Sequence, residues 1–420
     1  MIFPGNFGMQ IRIFMEKIDI CWVFQVISEY ESEFSWRNMK RTRYLDQISM
    51  QLRVHPVCAI LGARQVGKTT LARQFAELYS QNVEFFDLEN PVHLASLETP
   101  ILTLSNFPDC LIVIDEIQRR PDLFPILRVL VDDPKKKYTF LILGSASREL
   151  IHQSSETLAG RIGYIELPPF TLTDVHDAKK LLTRGGFPRS YLAESDEASF
   201  LWRDAYITTF LERDLPSFGF DIPAELMHRF WMMLCFYHGQ TFNAREIAAS
   251  LMLSDKTVSK YLDILAGTFM IRILYPWHEN IKKRQTKTPK IYFRDSGIFN
   301  TLSAIHSLDE LIKSPKIGPL WEGFALEEVV NYVQCRSQDC YFWSTHNEAE
   351  LDLLIFKSGK RIGFEFKYTD SPKTTKSMHI ALVDLKLDHL YVIFPGHMQF
   401  PLHEKITARG LESLKDLKIN

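Results

Sequence analysis

The sequence predicts an α/β protein of several modules, in which a parallel sheet with helices comes first and a second, smaller α/β domain comes last. Three observations carry this. An apolar run, residues 56 to 61, ends in Gly62-Ala63-Arg64-Gln65-Val66-Gly67-Lys68-Thr69 and is followed by an amphipathic helical pattern to Ala76. A second apolar run, Leu111 to Ile114, ends in Asp115-Glu116. Near the end, two strand-like runs carry Asp352 and then Glu365-Phe366-Lys367.

At 420 residues the chain exceeds the length at which one core keeps growing, so two or three domains are expected. Its 46% hydrophobic and 24% charged residues are those of an ordinary globular protein, and a net charge of −2 confines any nucleic-acid surface to a local patch. Six cysteines, at 21, 58, 110, 235, 335 and 340, show no zinc spacing and fit reduced thiols in a cytoplasmic protein. The opening 27 residues are apolar but lack a basic start and are broken by Glu16, Lys17 and Asp19, which argues against a signal peptide or a membrane span. Residues 1 to 38 read as an extension, with the functional protein beginning at Met39 and a helix leading into the first strand.

Gly62 to Thr69 fills every fixed position of the pattern G-x-x-x-x-G-K-[ST], between the strand and the helix that the pattern requires. The two glycines permit backbone angles that turn successive N–H groups toward a polyphosphate, and the helix beginning near Lys68 adds its positive N-terminal end. The cofactor-binding set is therefore Gly62, Ala63, Arg64, Gln65, Val66, Gly67, Lys68, Thr69 and Thr70, with Lys68 on the β- and γ-phosphates of ATP and the Thr69 hydroxyl on Mg²⁺.

Val83 to Leu88 reads as the next strand, and residues 91 to 105 as short helices. The strand ending at Asp115 is apolar on both faces, as in the middle of a parallel sheet, and its carboxyl end is where such a sheet binds ligand. Asp115 is then a Mg²⁺ ligand, and Glu116 orients or deprotonates the attacking water. A helix from Leu123 to Val131 and a strand from Thr139 to Leu143 follow, leading to Ser145. That hydroxyl either senses the γ-phosphate or caps the segment starting at Arg148. Arg161, just before the strand from Gly163 to Leu167, either stabilises transition-state charge, in cis or in a neighbouring subunit of a homo-oligomer, or makes a surface ion pair.

From Leu172 to Tyr237 the pattern is helical, with Ser199 to Glu212 and Ala224 to Tyr237 clearest, as expected of a lid over the nucleotide. Residues 243 to 294 read as a winged helix. Asn243 and Glu246 match a capping box, a turn at Met252-Leu253-Ser254 follows, and a second helix buries Val258, Leu262 and Leu265 while presenting Lys256, Thr257, Ser259 and Lys260. Two strand-like runs, Phe269 to Tyr275 and Ile291 to Phe293, flank residues 282 to 290, which hold five positive charges and no acid. Lys256, Thr257, Lys260, Lys282, Lys283, Arg284 and Lys287 form the DNA-contacting set on this reading; a packing module with a solvated basic loop is the alternative.

In the last domain a helix from Leu320 to Val333 carries Glu322 and Glu327, and Asp352 and Glu365 stand with twelve residues between them. This D…E-x-K order is that of restriction-type nucleases. Asp352, Glu365 and the Phe366 carbonyl suit a hard divalent cation, Glu322 offers a further ligand, and Lys367 shares a strand face with Glu365 because the period is two. A leucine, Leu351, stands where a proline is usual before the aspartate.

The order ILGARQVGKTTLA, VIDEIQ, ILGSAS, LAGR, GGFP, FLERDLP and PKIYFRDSG resembles the AAA-type ATPases of bacteria and archaea whose C-terminal part is the domain DUF4143. The likeness spans about residues 39 to 395. It implies an additional-strand P-loop ATPase core, a winged helix and a restriction-endonuclease-like C-terminal domain; Arg213 and Asp214, in the family-like ERDLP, either signal nucleotide state or form a lid ion pair. The expected modules are an extension (1 to 38), the ATPase core (39 to 170), the lid (171 to 240), the winged helix (241 to 300) and the nuclease-like domain (301 to 420). The expected function is a Mg²⁺-dependent ATPase acting on DNA, without a membrane partner; the alternative is a nucleotide-gated protein-interaction switch that cuts no nucleic acid.

Overall fold

The computed structural model describes residues 39 to 145, 158 to 279, 286 to 345 and 349 to 417. Helix α1 (Thr42–Val54) leads into strand β1 (Val57–Gly62), which is buried along its whole length. The phosphate loop follows, then α2 (Lys68–Leu78), β2 (Val83–Asp87), β3 (Leu111–Asp115), α3 (Leu123–Val131), β4 (Thr139–Ser145) and β5 (Ile162–Glu166). These strands form one parallel sheet in the order β2-β3-β4-β1-β5. Strand β4 thus lies between β1 and β3, the additional strand that the resemblance implies. Its core holds Val57, Ala59, Leu61, Ile112, Ile114, Phe140 and Ile142 with Phe124 and Leu127 of α3; each of the larger side chains contributes roughly 1.5–3 kcal/mol on burial.

Helices α4 (Ala178–Arg184), α5 (Asp196–Thr209) and α6 (Ala224–Leu234) follow. The reading from Ser199 to Glu212 is displaced. Ser195 caps α5 at Ala198 N–H, and residues Phe210–Asp214 form a π turn that brings Asp214 inward to 2% exposure. Next come β6 (Gln240–Thr241), α7 (Ala244–Leu251), α8 (Asp255–Gly267), β7 (Ile271–Pro276) and β8 (Lys290–Phe293), with β8 antiparallel to both β6 and β7. The expected capping box at Asn243 does not form: its side-chain amide donates to Glu246 at 3.5 Å instead of its oxygen accepting a helix N–H. Ser254 does cap α8, accepting from Thr257 N–H at 3.1 Å.

After α9 (Ser296–Leu302) comes α10 (Ile317–Val333), buried on nearly every face. Strands β9 (Cys340–Ser344), β10 (Glu350–Lys357) and β11 (Lys360–Phe366), helix α11 (Lys376–Asp384), β12 (His389–Phe394), β13 (Gln399–His403) and β14 (Ile406–Gly410) complete the chain. A nine-stranded mixed sheet runs β13-β14-β12-β11-β10-β9-β7-β8-β6. The β10–β11 hairpin turns on Ser358 and Gly359, both at positive φ (51° and 78°), the geometry whose twist matches the strands. Parallel pairing of β7 with β9, Tyr275 opposite Tyr341, joins the helix-and-hairpin module to the C-terminal strands. Among the described residues no helix is long and apolar enough to cross a membrane.

Candidate functional site

The first site forms where β1, β3 and β4 end at the same edge of their parallel sheet. Gly67 has φ +94°, the left-handed region that admits glycine freely. Gly62 is required for a different reason from the one expected: its φ is ordinary, but a Cβ there would run into the Leu167 carbonyl beyond β5. Ala63 and Val66 are buried, Gln65 is exposed at φ 63°, and Thr70 is half-buried on the first turn of α2.

The Lys68 ammonium is 5% exposed and donates to the carbonyls of Gly62 and Ala63, each at 3.0 Å, and to Ser145 Oγ at 3.4 Å. Burial lowers its pKa, against the raising influence of Glu116 and Asp115. Thr69 Oγ1 donates to Asp115 Oδ2 at 2.6 Å, and the other Asp115 oxygen accepts from Glu116 N–H at 2.9 Å. Burial, joined by the charge of Glu116, pushes Asp115 up to about 6 in spite of Thr69 and Lys68. Glu116 stands in the left-handed region at φ 54°, and its carboxylate accepts from Ser145 Oγ at 3.4 Å and from the Gln118 amide. Lys68, Thr69, Asp115, Glu116 and Ser145 are therefore one connected group. Thr69 and Asp115 form a pair of adjacent hard oxygens that suits Mg²⁺, which takes one or two carboxylates with water and phosphate. Arg148, the start of the segment Ser145 would cap, lies outside the described residues.

Gln118 was given no role by the motif, and Arg64, which the motif placed in the cofactor-binding set, is turned elsewhere. Gln118 sits beside Glu116 with its Oε1 buried and without a hydrogen-bond partner. Arg64 leaves the phosphate loop to bind Asp214 Oδ1 and Glu89 Oε1, each at 2.6 Å, so the loop is tied to the π turn after α5. Arg213 is 63% exposed and reaches Asp214 at 3.4 Å.

Arg161 is not brought to this group. It precedes β5, at the edge of the sheet where the parallel strands begin: its carbonyl accepts from Val57 N–H, the first residue of β1, and its guanidinium grips Asp132 at 2.6 and 2.9 Å.

On α8, Lys256 and Lys260 are exposed and Thr257 is half-buried against Ser254, while Val258, Tyr261, Leu262 and Leu265 face inward. Lys287 is exposed; Lys282, Lys283 and Arg284 lie outside the described residues. Lys290, the last charge of the basic run, is instead 5% exposed, because it opens β8 and its side chain points between Glu322 of α10, at 3.7 Å, and Glu350 of β10.

That lysine enters the C-terminal group. Between Leu351 and Leu354 the register of β10 against β9 shifts by one residue, a bulge that redirects Asp352. Asp352 Oδ2 accepts from Phe366 N–H at 3.0 Å, and Lys367 Nζ lies 2.9 Å from Glu365 and 4.0 Å from Asp352. Tyr292 donates to Glu322 at 2.7 Å. Burial, followed by the charge of Asp352, pushes Glu365 and Glu322 upward. Burial alone would lower Lys290 and Lys367, but the surrounding carboxylates outweigh it and keep both charged. Asp352 and Glu365 suit a divalent ion that takes two carboxylates, although no cluster of three or more His, Cys, Asp or Glu is gathered for a metal among the described residues.

Residues 54–176 match the AAA domain, residues 175–309 the domain of unknown function DUF8612, and residues 317–414 the domain of unknown function DUF4143. Among solved structures, the Walker-type ATPase PABY2304 of Pyrococcus abyssi is similar at 14% identity and a TM-score of 0.43, covering 63% of this chain and 96% of that one. The Thermotoga maritima RuvB Holliday junction branch migration motor is similar at 19% identity and a TM-score of 0.30, covering 56% and 89%. Uncharacterized protein Rv2008c of Mycobacterium tuberculosis and uncharacterized protein Mb2031c of Mycobacterium bovis are each 47% identical over 355 residues, 84% of this chain and 79% of theirs. The chain belongs to the family of these two mycobacterial proteins, with an AAA P-loop domain at its head and a DUF4143 domain at its end.

Proposed function

We propose that the protein is a Mg²⁺-dependent ATPase that couples ATP binding and hydrolysis to a winged-helix DNA-binding module and a nuclease-like C-terminal domain. The observation that carries the ATPase reading is the 2.6 Å bond from Thr69 to Asp115, which links the phosphate loop to the acidic strand end beside Lys68 and Glu116. Thr69 and Asp115 would hold Mg²⁺, whose charge would offset that of the phosphates. Lys68 would release its loop carbonyls to grip the β- and γ-phosphates, and Glu116, fixed by Gln118 and Ser145, would orient the water. The test is ATP turnover by the full chain: Lys68→Ala should abolish it, and undiminished turnover would overturn the assignment.

The winged-helix reading rests on α7, α8 and the β6-β8-β7 sheet, with the major-groove role assigned to Lys256, Thr257 and Lys260 and the wing to residues 282 to 287. The nuclease-like reading rests on Asp352 of β10, Glu365 of β11 and Lys367 just beyond the end of β11. A divalent ion there would supply a water of lowered pKa, with Lys367 positioned to steady that water or the phosphate. We place the module boundaries at residues 170, 240 and 300.

The second reading, a nucleotide-gated switch that binds other proteins, is favoured by the burial of Lys290, which is spent on Glu322 and Glu350 and is withdrawn from the basic run. DNA binding across a salt series separates the two. A steep loss of affinity with salt supports phosphate contacts, and a flat or absent response supports the switch.

A further inference from the structure

The C-terminal group holds a second lysine that the D…E-x-K order does not call for. Lys290 comes from β8, and its backbone is paired with Thr241 of β6 on one side and Leu274 of β7 on the other, so it is fixed within the sheet and not carried on a loop. The residue is 5% exposed, with Nζ 5.5 Å from the centre of the Phe342 ring, 3.7 Å from Glu322 Oε1 and in contact with Glu350 Oε1. Tyr292, two residues on and therefore on the same face of β8, is fully buried and donates to the same Glu322 oxygen at 2.7 Å. Glu322, expected as a further metal ligand, is thus engaged from β8 by a hydroxyl and an ammonium.

The two lysines stand differently toward the carboxylates. Lys367 lies 2.9 Å from Glu365 and 4.0 Å from Asp352 and is 38% exposed, so it can turn toward a substrate. Lys290 is enclosed, and it bridges Glu322 of α10 to Glu350, which stands two residues before Asp352 on β10. Sites that use two divalent ions on a phosphodiester hold them about 3.5–4 Å apart. Here Asp352 and Glu365 suit one such ion, whereas the space between Glu322 and Glu350 already holds an ammonium, a compact positive charge with three donors. A second divalent ion would have to displace that buried charge or face it. The same arrangement accords with the absence, among the described residues, of a cluster of three or more metal-binding side chains.

We propose, building on the nuclease-like reading of Asp352, Glu365 and Lys367, that Lys290 takes the place of a second metal ion. The C-terminal site then binds one divalent cation, on Asp352 and Glu365, and Lys290 is a positioning residue that holds Glu322 and Glu350. The site is also composite, because the strand that supplies Lys290 and Tyr292 belongs to the helix-and-hairpin module and not to the C-terminal strands.

Mn²⁺ titration of the full chain without nucleotide, read by loss of the free-ion electron paramagnetic resonance signal, tests this. An Asp115→Asn background removes the ion expected at the phosphate loop. The expected count in that chain is one Mn²⁺, lost when Asp352→Asn is added. Adding Lys290→Ala in place of Asp352→Asn should raise the count to two, and Glu350→Gln on top of it should return the count to one. Lys290→Arg, which keeps the cation, should leave one. Two ions with Lys290 in place, or still one in a folded Lys290→Ala chain, would overturn the proposal and leave the nuclease-like reading standing. No ion at all would overturn both. If Lys290→Ala does not fold, the count in the chain that keeps Lys290 still decides between one and two.

Discussion

Arg64 and Asp214, 150 positions apart, share a 2.6 Å ion pair that ties the phosphate loop to the π turn after α5. Asp214 is 2% exposed, and burial raises its pKa against the lowering effect of Arg64 and Arg213, so the carboxylate depends on its cationic partners. Asp214→Asn keeps the shape and removes the charge. Because Arg64 retains Glu89, the expected loss of stability is moderate, about 1–3 kcal/mol by urea denaturation, with weaker ATP binding from a looser loop. An unchanged midpoint together with unchanged affinity would show that the pair holds nothing in place.

Glu328 predicts a pH dependence of stability. Burial first, then Asp174 and Glu327, push it up to about 8, although Leu172 N–H donates to it at 2.9 Å. An unfolded glutamate titrates near ~4.3. Between those values the folded chain keeps a proton that the unfolded chain releases, so this group's contribution to stability is greatest at low pH and falls as pH rises toward 8. Glu328→Gln retains an oxygen for Leu172 and removes the titration. Its unfolding free energy should fall less between pH 5.5 and 8 than that of the wild type, by up to about 1.4 kcal/mol per pH unit; parallel profiles would refute the assignment.

The basic residues should divide into two classes. Alanine at Lys256, Lys260 and Lys287, all exposed, should weaken DNA binding alike for all sequences and lower the salt slope by about 1 for each phosphate no longer neutralised. Alanine at Lys290 should instead cost about 1–3 kcal/mol of stability, because it removes the buried ammonium that Glu322 and the partly exposed Glu350 share. A stable Lys290→Ala with a reduced salt slope would return that lysine to the wing.

What could be read from the chain alone follows from how local each signal is. The phosphate loop and the β3 end were legible because the chemistry demands fixed residue types at fixed spacing, and an apolar run flanked on both sides by helices has few alternatives to a central strand. Lys290 was not legible as buried, since a run of like charges reads as a solvated face; only the pairing of β8 with β7 turns its side chain toward Glu322 and Glu350. Arg161 shows a different limit. It does stand next to a strand, but a residue before a parallel strand lies at the opposite edge from residues that follow one. Gly62 shows a third, because the Leu167 carbonyl that forbids a Cβ there comes from a segment more than a hundred residues later.

Lys68→Ala removes the ammonium that the proposed function assigns to the β- and γ-phosphates. Loss of one such group in a water-poor site costs turnover roughly 10²–10³-fold or more, and a smaller loss in a steady-state ATPase assay would argue that Lys68 does not meet the reacting phosphate.

The most direct test of the ATPase assignment is a single-turnover experiment with labelled ATP and Mg²⁺ on the wild-type chain and on Glu116→Gln. Because Thr69 and Asp115 remain intact in that variant while the carboxylate proposed to orient the water is gone, the expected result is ATP bound and uncleaved, against cleavage by the wild type. A variant that cleaves at the wild-type rate, or a wild-type chain that binds no ATP, would contradict it.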